Sequence, residues 1–259
     1  MRPIVFISNR LIKLFGHSCK MLCYVFHFFF PNKRFTIPKY SKALFKARGQ
    51  SKIPKILWQT NFTNKVTLPV YLNYLFNRLL SPTYEYRFMS TKQRESFIKT
   101  NYSKKIFSCY KKLNIGASQA DFWRILVLNF FGGVYMDIDA HLTWPLELMI
   151  KRSFKSFFVK TKPNHYTNNF FASKKNNPFL ISAITIVLGN INSKKHFETI
   201  YDITGPPILN AVLESKQVNY RNANVSYANG CFTNEYFQYI DKKEGKWTHA
   251  NKEDLIKED

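Results

Sequence analysis

An apolar helix that passes through two glycines onto a strand ending in paired carboxylates constrains this chain's architecture more than any other feature. Residues 117–131 place Ala120, Trp123, Val127 and Phe130 at helical spacing with further apolar residues between them, so the segment reads as a buried helix. Gly132-Gly133 stops it, and Val134-Tyr135-Met136-Asp137-Ile138-Asp139 reads as the strand that follows. On a strand, side chains repeat every second residue, so Asp137 and Asp139 face one way and Met136 and Ile138 the other. Two anions in one small space repel, or one takes up a proton, unless a cation or firm hydrogen bonds intervene. A hard divalent cation, Mg²⁺ or Mn²⁺, is the simplest partner, because it commonly takes one or two carboxylates from protein and leaves the rest of its shell to water and phosphate. The alternative is that both are strand-end or turn carboxylates, positions that Asp favours for local hydrogen-bonding reasons.

Asp121 and Arg124 lie three residues apart on the same helix and so share a face. They form an intrahelical ion pair or, because the diglycine turn brings the helix end to the carboxylate pair, part of one joint site.

With 259 residues the chain has room for one large domain or one domain with an appendage, and no fixed-period repeat is present. A net charge of +23, from 39 Lys and Arg against 16 Asp and Glu, implies attraction to an anionic partner: nucleic acid, anionic lipid or a phosphorylated substrate. The basic residues are scattered, as in Lys104-Lys105, Lys111-Lys112 and Lys174-Lys175, and no nucleic-acid module is visible, so no nucleic-acid partner is expected. Cys19, Cys23, Cys109 and Cys231 are too few and scattered for a disulfide framework, and with His17 and His27 the first two match no common zinc spacing.

Residues 1–52 form a basic and apolar segment ahead of the domain proper. Met21–Phe30 is an apolar run too short to span a bilayer, flanked by Arg10, Lys13 and Lys20 before it and Lys33 and Arg34 after it. No small-residue cleavage site follows, so the segment reads either as an interfacial element on an anionic leaflet or as a helix packed on the core. Residues 53–259 then begin with a buried strand at Ile56-Leu57-Trp58, a helix around Pro69–Leu80 and a strand around Tyr84–Met89, the opening of a doubly wound α/β domain. Residues 90–110 read as broken helix.

The order Ala-Asp-x-x-Arg, apolar stretch, Gly-Gly-x-Tyr-x-Asp-x-Asp resembles the sugar-binding region of glycosyltransferase family 32. Ile53-Pro54-Lys55-Ile56-Leu57-Trp58-Gln59-Thr60, Asn168-Asn169-Phe170-Phe171-Ala172-Ser173 with Asn177-Pro178, and Thr204-Gly205-Pro206 are similar to its other blocks, in order from Ile53 to Leu213. The chain departs from the family at Trp58, where a His is usual, at Asn61, where a Trp often follows the Thr, and near its end, where Trp247 precedes His249.

The resemblance implies a GT-A-type α/β fold, a mostly parallel central sheet flanked by helices with the donor at the C-terminal strand ends. It implies a metal-dependent, retaining transfer of a hexose from a nucleotide-diphosphate sugar, UDP- or GDP-linked, to a glycan or lipid-linked acceptor in surface polysaccharide synthesis. Asp139 would ligate Mn²⁺ or Mg²⁺, Asp137 would contact donor ribose or sugar and share the metal through water, and His249 would be a third ligand. Asp121 would hold sugar hydroxyls and Arg124 the charge near the diphosphate. Trp58, Gln59, Thr60 and Tyr135 would line the nucleoside pocket, and Asn168 or Asn169 would reach sugar or acceptor. The basic surface and Phe-rich N-terminus point to an anionic membrane surface, as a peripheral protein on the cytoplasmic face of the plasma membrane. A cationic membrane-associated binding protein and a transferase that has lost catalysis are the competing readings.

Overall fold

The computed structural model describes residues 2–47, 49–163, 165–193, 197–242 and 255–256, the side chains of 2 and 3 excepted. The chain opens with a 28-residue helix, α1 (Arg2–Phe29), and two short strands, β1 (Phe35–Thr36) and β2 (Tyr40–Ser41). Next come β3 (Ile56–Thr60), β4 (Lys65–Val66), α2 (Leu68–Leu80) and β5 (Glu85–Met89). The broken helical stretch resolves into α3 (Thr91–Asn101) and α4 (Lys104–Lys112), separated because two serines each start a helix. Ser90 forms a reciprocal capping box with Gln93, and the Ser103 hydroxyl accepts from the Ile106 amide. Then follow α5 (Gly116–Phe131), β6 (Gly133–Met136), β7 (Ala140–Leu142), α6 (Leu146–Met149), β8 (Ser156–Lys162), β9 (His165–Ser173) and α7 (Pro178–Asn192). The Asn177-Pro178 pair is the start of α7, with the Asn177 side chain accepting from the Phe179 amide and Pro in the first turn. The chain closes with α8 (Ile200–Thr204), α9 (Pro206–Leu213), β10 (Tyr220–Asn222), β11 (Tyr227–Asn229) and α10 (Glu235–Tyr239).

Seven strands form the central sheet in the order β10-β8-β9-β6-β3-β5-β2, while β1–β4 and β7–β11 are separate two-stranded ribbons. The sheet is mixed, which corrects the expectation of a mostly parallel one: β3 runs parallel to β5 and β6, and β10 parallel to β8, but β9 is antiparallel to both neighbours and β2 to β5. The cause is local. β9 follows β8 after a short reversal, and a connection that short joins only antiparallel strands. Successive side chains of each central strand enter opposite layers. Leu57, Val134, Met136, Phe157 and Phe170 pack toward α2, β7 and α6, whereas Trp58, Tyr135, Phe158 and Phe171 pack toward α5, α7 and α9. Burial on both faces explains why these strands read as continuous apolar runs.

The diglycine is required by geometry. Gly132 and Gly133 have φ of 71° and 112°, and a Cβ on Gly133 would lie 2.8 Å from the Ile56 carbonyl oxygen and 3.0 Å from the Trp58 indole nitrogen. Only two glycines let α5 turn this tightly into a central strand.

Residues 1–52 are stitched to the rest. β2 is an edge strand of the central sheet, β1 pairs with β4, and α1 packs one stripe, Val5, Asn9, Gly16, Cys23 and His27, onto the body while its other faces stay exposed. The inner stripe of α1 is thus a helix face packed on the core. Among the described residues no helix is long and apolar enough to cross a membrane.

Beneath α1, His141 of β7 is fully buried between the Phe76 and Phe232 rings, at centroid distances of 6.2 and 5.2 Å, with neither ring nitrogen hydrogen-bonded. Burial, reinforced by Lys13 and His17, pushes its pKa from 6.5 down to about 4. The unfolded chain therefore binds a proton between those values that the folded chain refuses. The stability this neutral ring contributes is complete above pH 6.5 and lost as pH falls toward 4, on the order of 3 kcal/mol at 1.36 kcal/mol per unit. His141→Leu should flatten that part of the acid limb in urea melts at pH 4.5 and 7; an unchanged limb would refute the assignment.

Candidate active site

The C-terminal ends of β3, β5 and β6 open into a cleft of about 630 Å³ lined by Thr60, Thr91, Asp121, Arg124, Asp137 and Asp139 among others. α5 brings Asp121 and Arg124 to the ends of these strands, and the diglycine turn sends β6 back beneath them. β6 ends at Met136, so Asp137 and Asp139 sit in the turn that leads into β7 and not on the strand itself. Their shared direction comes from how this turn is pinned. The Asp137 amide donates to the Asn169 carbonyl at 2.8 Å, Gln59 donates to the Asp137 carbonyl at 3.0 Å, and the Asn73 side-chain amide donates to the carbonyls of Ile138 and Ala140 at 2.8 and 2.9 Å.

Arg124 is the hub. Its Nη2 lies 2.9 Å from Asp121 Oδ1 and 3.2 Å from Asp137 Oδ1, its Nη1 donates to the Asn168 carbonyl at 2.8 Å, and the guanidinium sits 4.4 Å from the Tyr135 ring centroid. The intrahelical ion pair and the joint site are thus one arrangement. Burial opposes the charge on Arg124, yet Asp137, Tyr135 and Asp121 together hold its pKa above the ordinary value. Asp121 accepts from the Asn168 side chain at 3.1 Å and from Thr204 at 3.4 Å, so two of the sequence blocks serve to hold this carboxylate. Burial still raises it to about 6, against the pull of Arg124. The Tyr135 hydroxyl donates to Asp137 Oδ1 at 2.5 Å.

Asp139 is the exception. No side chain among the described residues forms a hydrogen bond or ion pair with its carboxylate, and burial, then Asp137, pushes its pKa to about 7. A partly buried carboxylate that no cation contacts directly, beside a second one, is a fitting half-site for a divalent ion. Among the described residues no group of three His, Cys, Asp or Glu is positioned to hold a metal, so the described part of the cleft supplies at most this pair. That donor set suits Mg²⁺ or Mn²⁺ shared with substrate phosphate and water, and does not suit a closed protein cage.

Thr60, Tyr135, Asn168 and Asn169 line the cleft as the sequence suggests. Trp58 and Gln59 do not, and their expected place in the nucleoside pocket is corrected. Trp58 is 1% exposed, stacks on Phe131 and donates from its indole to the Gly132 carbonyl at 3.0 Å, because its strand position points it into the α5 layer. Gln59 is fully buried, held by the Tyr86 hydroxyl at 3.1 Å while it pins Asp137. His249 lies outside the described residues.

Three contributors escaped the sequence reading. Arg94, 3% exposed on α3, faces the cleft with its Nε unpaired; its spacing with Phe97 and Ile98, a charge on the apolar stripe, was the available signal. Tyr227 of β11 and Tyr239 of α10 close the far wall, and burial followed by Asp139 and Asp137 raises Tyr239 to about 12. Nothing local in the sequence marks these two, since the chain returns to the cleft only after the blocks have ended.

Residues 69–155 match the family described as "Glycosyltransferase sugar-binding region containing DXD motif". The chain is 27% identical over 168 residues to mannosyl phosphorylinositol ceramide synthase CSH1 of Saccharomyces cerevisiae, covering 62% of this chain and 42% of that protein. It is 27% identical over 162 residues to inositol phosphoceramide mannosyltransferase 3 of Schizosaccharomyces pombe, covering 62% and 44%. The chain thus spans less than half the length of these curated relatives. Among solved structures, PaToxG Glycosyltransferase shares the fold at a TM-score of 0.52 and 16% identity, over 82% of this chain and 79% of that one. Residues 69–155 are thus similar to the sugar-binding region of the DXD glycosyltransferases, of the family 32 type, and the chain has a GT-A fold.

Proposed function

We propose that the chain is a metal-dependent, retaining glycosyltransferase that moves a hexose from a nucleotide-diphosphate sugar to a glycan or glycolipid acceptor. The observation that carries this reading is the unpartnered Asp139 carboxylate beside the Arg124 hub in one cleft. Breaking a sugar–phosphate bond builds negative charge on the departing diphosphate, and charge-stabilising groups belong where that charge develops. A bound Mn²⁺ or Mg²⁺ held by Asp139 and Asp137 would supply part of that stabilisation. Arg94, which lines the cleft from α3, is a further cation for phosphate or nucleoside. Asp121, fixed by Arg124, Asn168 and Thr204, presents acceptor oxygens to sugar hydroxyls. No second carboxylate stands free in the described cleft wall to act as a nucleophile, which suits front-face substitution in which the leaving phosphate helps take up the acceptor proton. The relatives' names include mannosyl transfer to an inositol phosphoceramide, which favours mannose as the sugar and a phosphate-bearing lipid as the acceptor.

The test is a panel of UDP- and GDP-linked hexoses assayed for slow hydrolysis with Mn²⁺ and with chelator. Metal-dependent turnover of one donor is expected. Absence of hydrolysis and of saturable binding with every donor would remove the transferase reading.

A further inference from the structure

α1 carries no acidic residue and is apolar on two opposite sides. The inner stripe packs on the body. The outer one, Ile4, Ile7, Leu11, Leu14, Met21, Val25 and Phe28, recurs at three- and four-residue steps or their sum, so it forms one continuous face, with Leu14 66% and Phe28 80% exposed. Leu75 and Leu79 on α2, the helix against which α1 packs, are also exposed. A patch this long is not ordinary surface. Between the two stripes run Arg10, Lys13, His17 and Lys20, again three and four apart, so a cationic flank borders the apolar face. That pairing matches an anionic bilayer, with lipid tails for the face and phosphates for the flank.

The flank also borders a recess of about 360 Å³ lined by Lys13, His17, Asn224, Tyr227, Asn229 and Cys231, with no carboxylate in its wall. Lys13 Nζ makes no hydrogen bond or ion pair among the described residues. His17 Nδ1 donates to the Lys13 carbonyl at 2.7 Å, which leaves Nε2 for a ligand. Tyr227 and Asn229 of β11 line both this recess and the large cleft, so that strand is the wall the two spaces share.

We propose that the recess binds the phosphate of a membrane-resident phospholipid acceptor, with α1 lying in the leaflet, so that the lipid's hydroxyl-bearing head group reaches over β11 into the cleft. The placement rests on the transferase reading above only for what happens in the cleft; the lipid site itself is independent of catalysis. Vesicle flotation of the full chain separates the two. Wild type should bind phosphatidylcholine vesicles containing phosphatidylinositol about fivefold more tightly than vesicles made equally negative with oleate, a difference of the size one or two basic contacts supply. Lys13→Gln/His17→Gln should keep vesicle binding but lose that preference. Leu14→Glu/Phe28→Glu, on the exposed face, should lose binding to both.

In transfer assays the Lys13/His17 variant should retain metal-dependent donor hydrolysis and raise KM for the lipid acceptor about tenfold, with melting temperatures checking that each variant folds. Equal wild-type binding to both vesicle types, or a preserved preference in the Lys13/His17 variant, would overturn the phosphate site. Binding of inorganic phosphate with the same variant dependence but no vesicle binding would make it a free-anion site and overturn the lipid assignment. A wild-type dimer that Leu14→Glu/Phe28→Glu converts to monomer would make the outer face a self-association surface and overturn the membrane placement. Failure of donor hydrolysis in wild type would instead count against the transferase reading alone.

Discussion

Asp139→Ala should lower donor hydrolysis and transfer by about a thousandfold, an effect of about 4 kcal/mol on the barrier, without destabilising the protein. Both halves follow from one observation. The carboxylate has no side-chain partner among the described residues and is pushed to about 7 by burial and by Asp137, so its charge is a cost in the absence of a cation. Deleting it removes repulsion and leaves no side-chain donor behind without its acceptor. An unchanged or slightly higher melting temperature together with lost turnover is the signature of a ligand-holding group, because a residue that holds the fold would lose both. The accompanying measurement is the shift in melting temperature on adding Mn²⁺, which wild type should show and Asp139→Ala should lose. A variant that turns over donor at the wild-type rate would refute the assignment of Asp139.

The fold was legible where local chemistry decides it. The α5 helix, the diglycine stop and the start of the strand beyond it follow from spacing and from φ values that only glycine accepts easily, and the structure reproduces them to within a residue. The mixed sheet was not legible, because strand direction depends on which strands become neighbours, and the insertion of β9 between β8 and β6 is a tertiary fact. At the site, period-two alternation placed Asp137 and Asp139 together for a partly wrong reason: the strand stops at Met136, and hydrogen bonds from Gln59 and Asn73 and one to the Asn169 carbonyl hold the turn in place. The same alternation, applied to β3, sends Trp58 and Thr60 to one face, and only Thr60, at the C-terminal end of the strand, lines the cleft. With Leu57 in the α2 layer, its neighbour must face α5. A motif identifies which block a residue belongs to, whereas its place along the strand decides whether its side chain reaches the ligand.

Arg124→Met should have the opposite profile to Asp139→Ala, losing stability and activity together. The Arg124 and Asp121 side chains are 7% and 13% exposed, and Asp137 is 23% exposed, so the pair of carboxylates depends on this one guanidinium for compensation. Removing one partner of a buried pair leaves an uncompensated charge and costs about 3–5 kcal/mol, which for a domain of this size is a fall of about 10 °C in Tm. Asp121 already sits near 6 with the arginine present, raised by burial, so without it the carboxyl should titrate higher still. A folded-state pKa above the unfolded value means that protonation favours the fold, so the deficit of the variant should shrink as pH is lowered from 8 toward 5. Asp121→Asn in the Arg124→Met background should restore about 2 kcal/mol of the loss, because the amide cannot carry the stranded charge, and the coupling is read from the double-mutant cycle. Arg124→Lys should fall between the two, since an ammonium keeps the charge but cannot reach Asp121, Asp137 and the Asn168 carbonyl at once. An Arg124→Met protein that melts like wild type, or a cycle with no coupling, would show that the hub is not what organises the cleft.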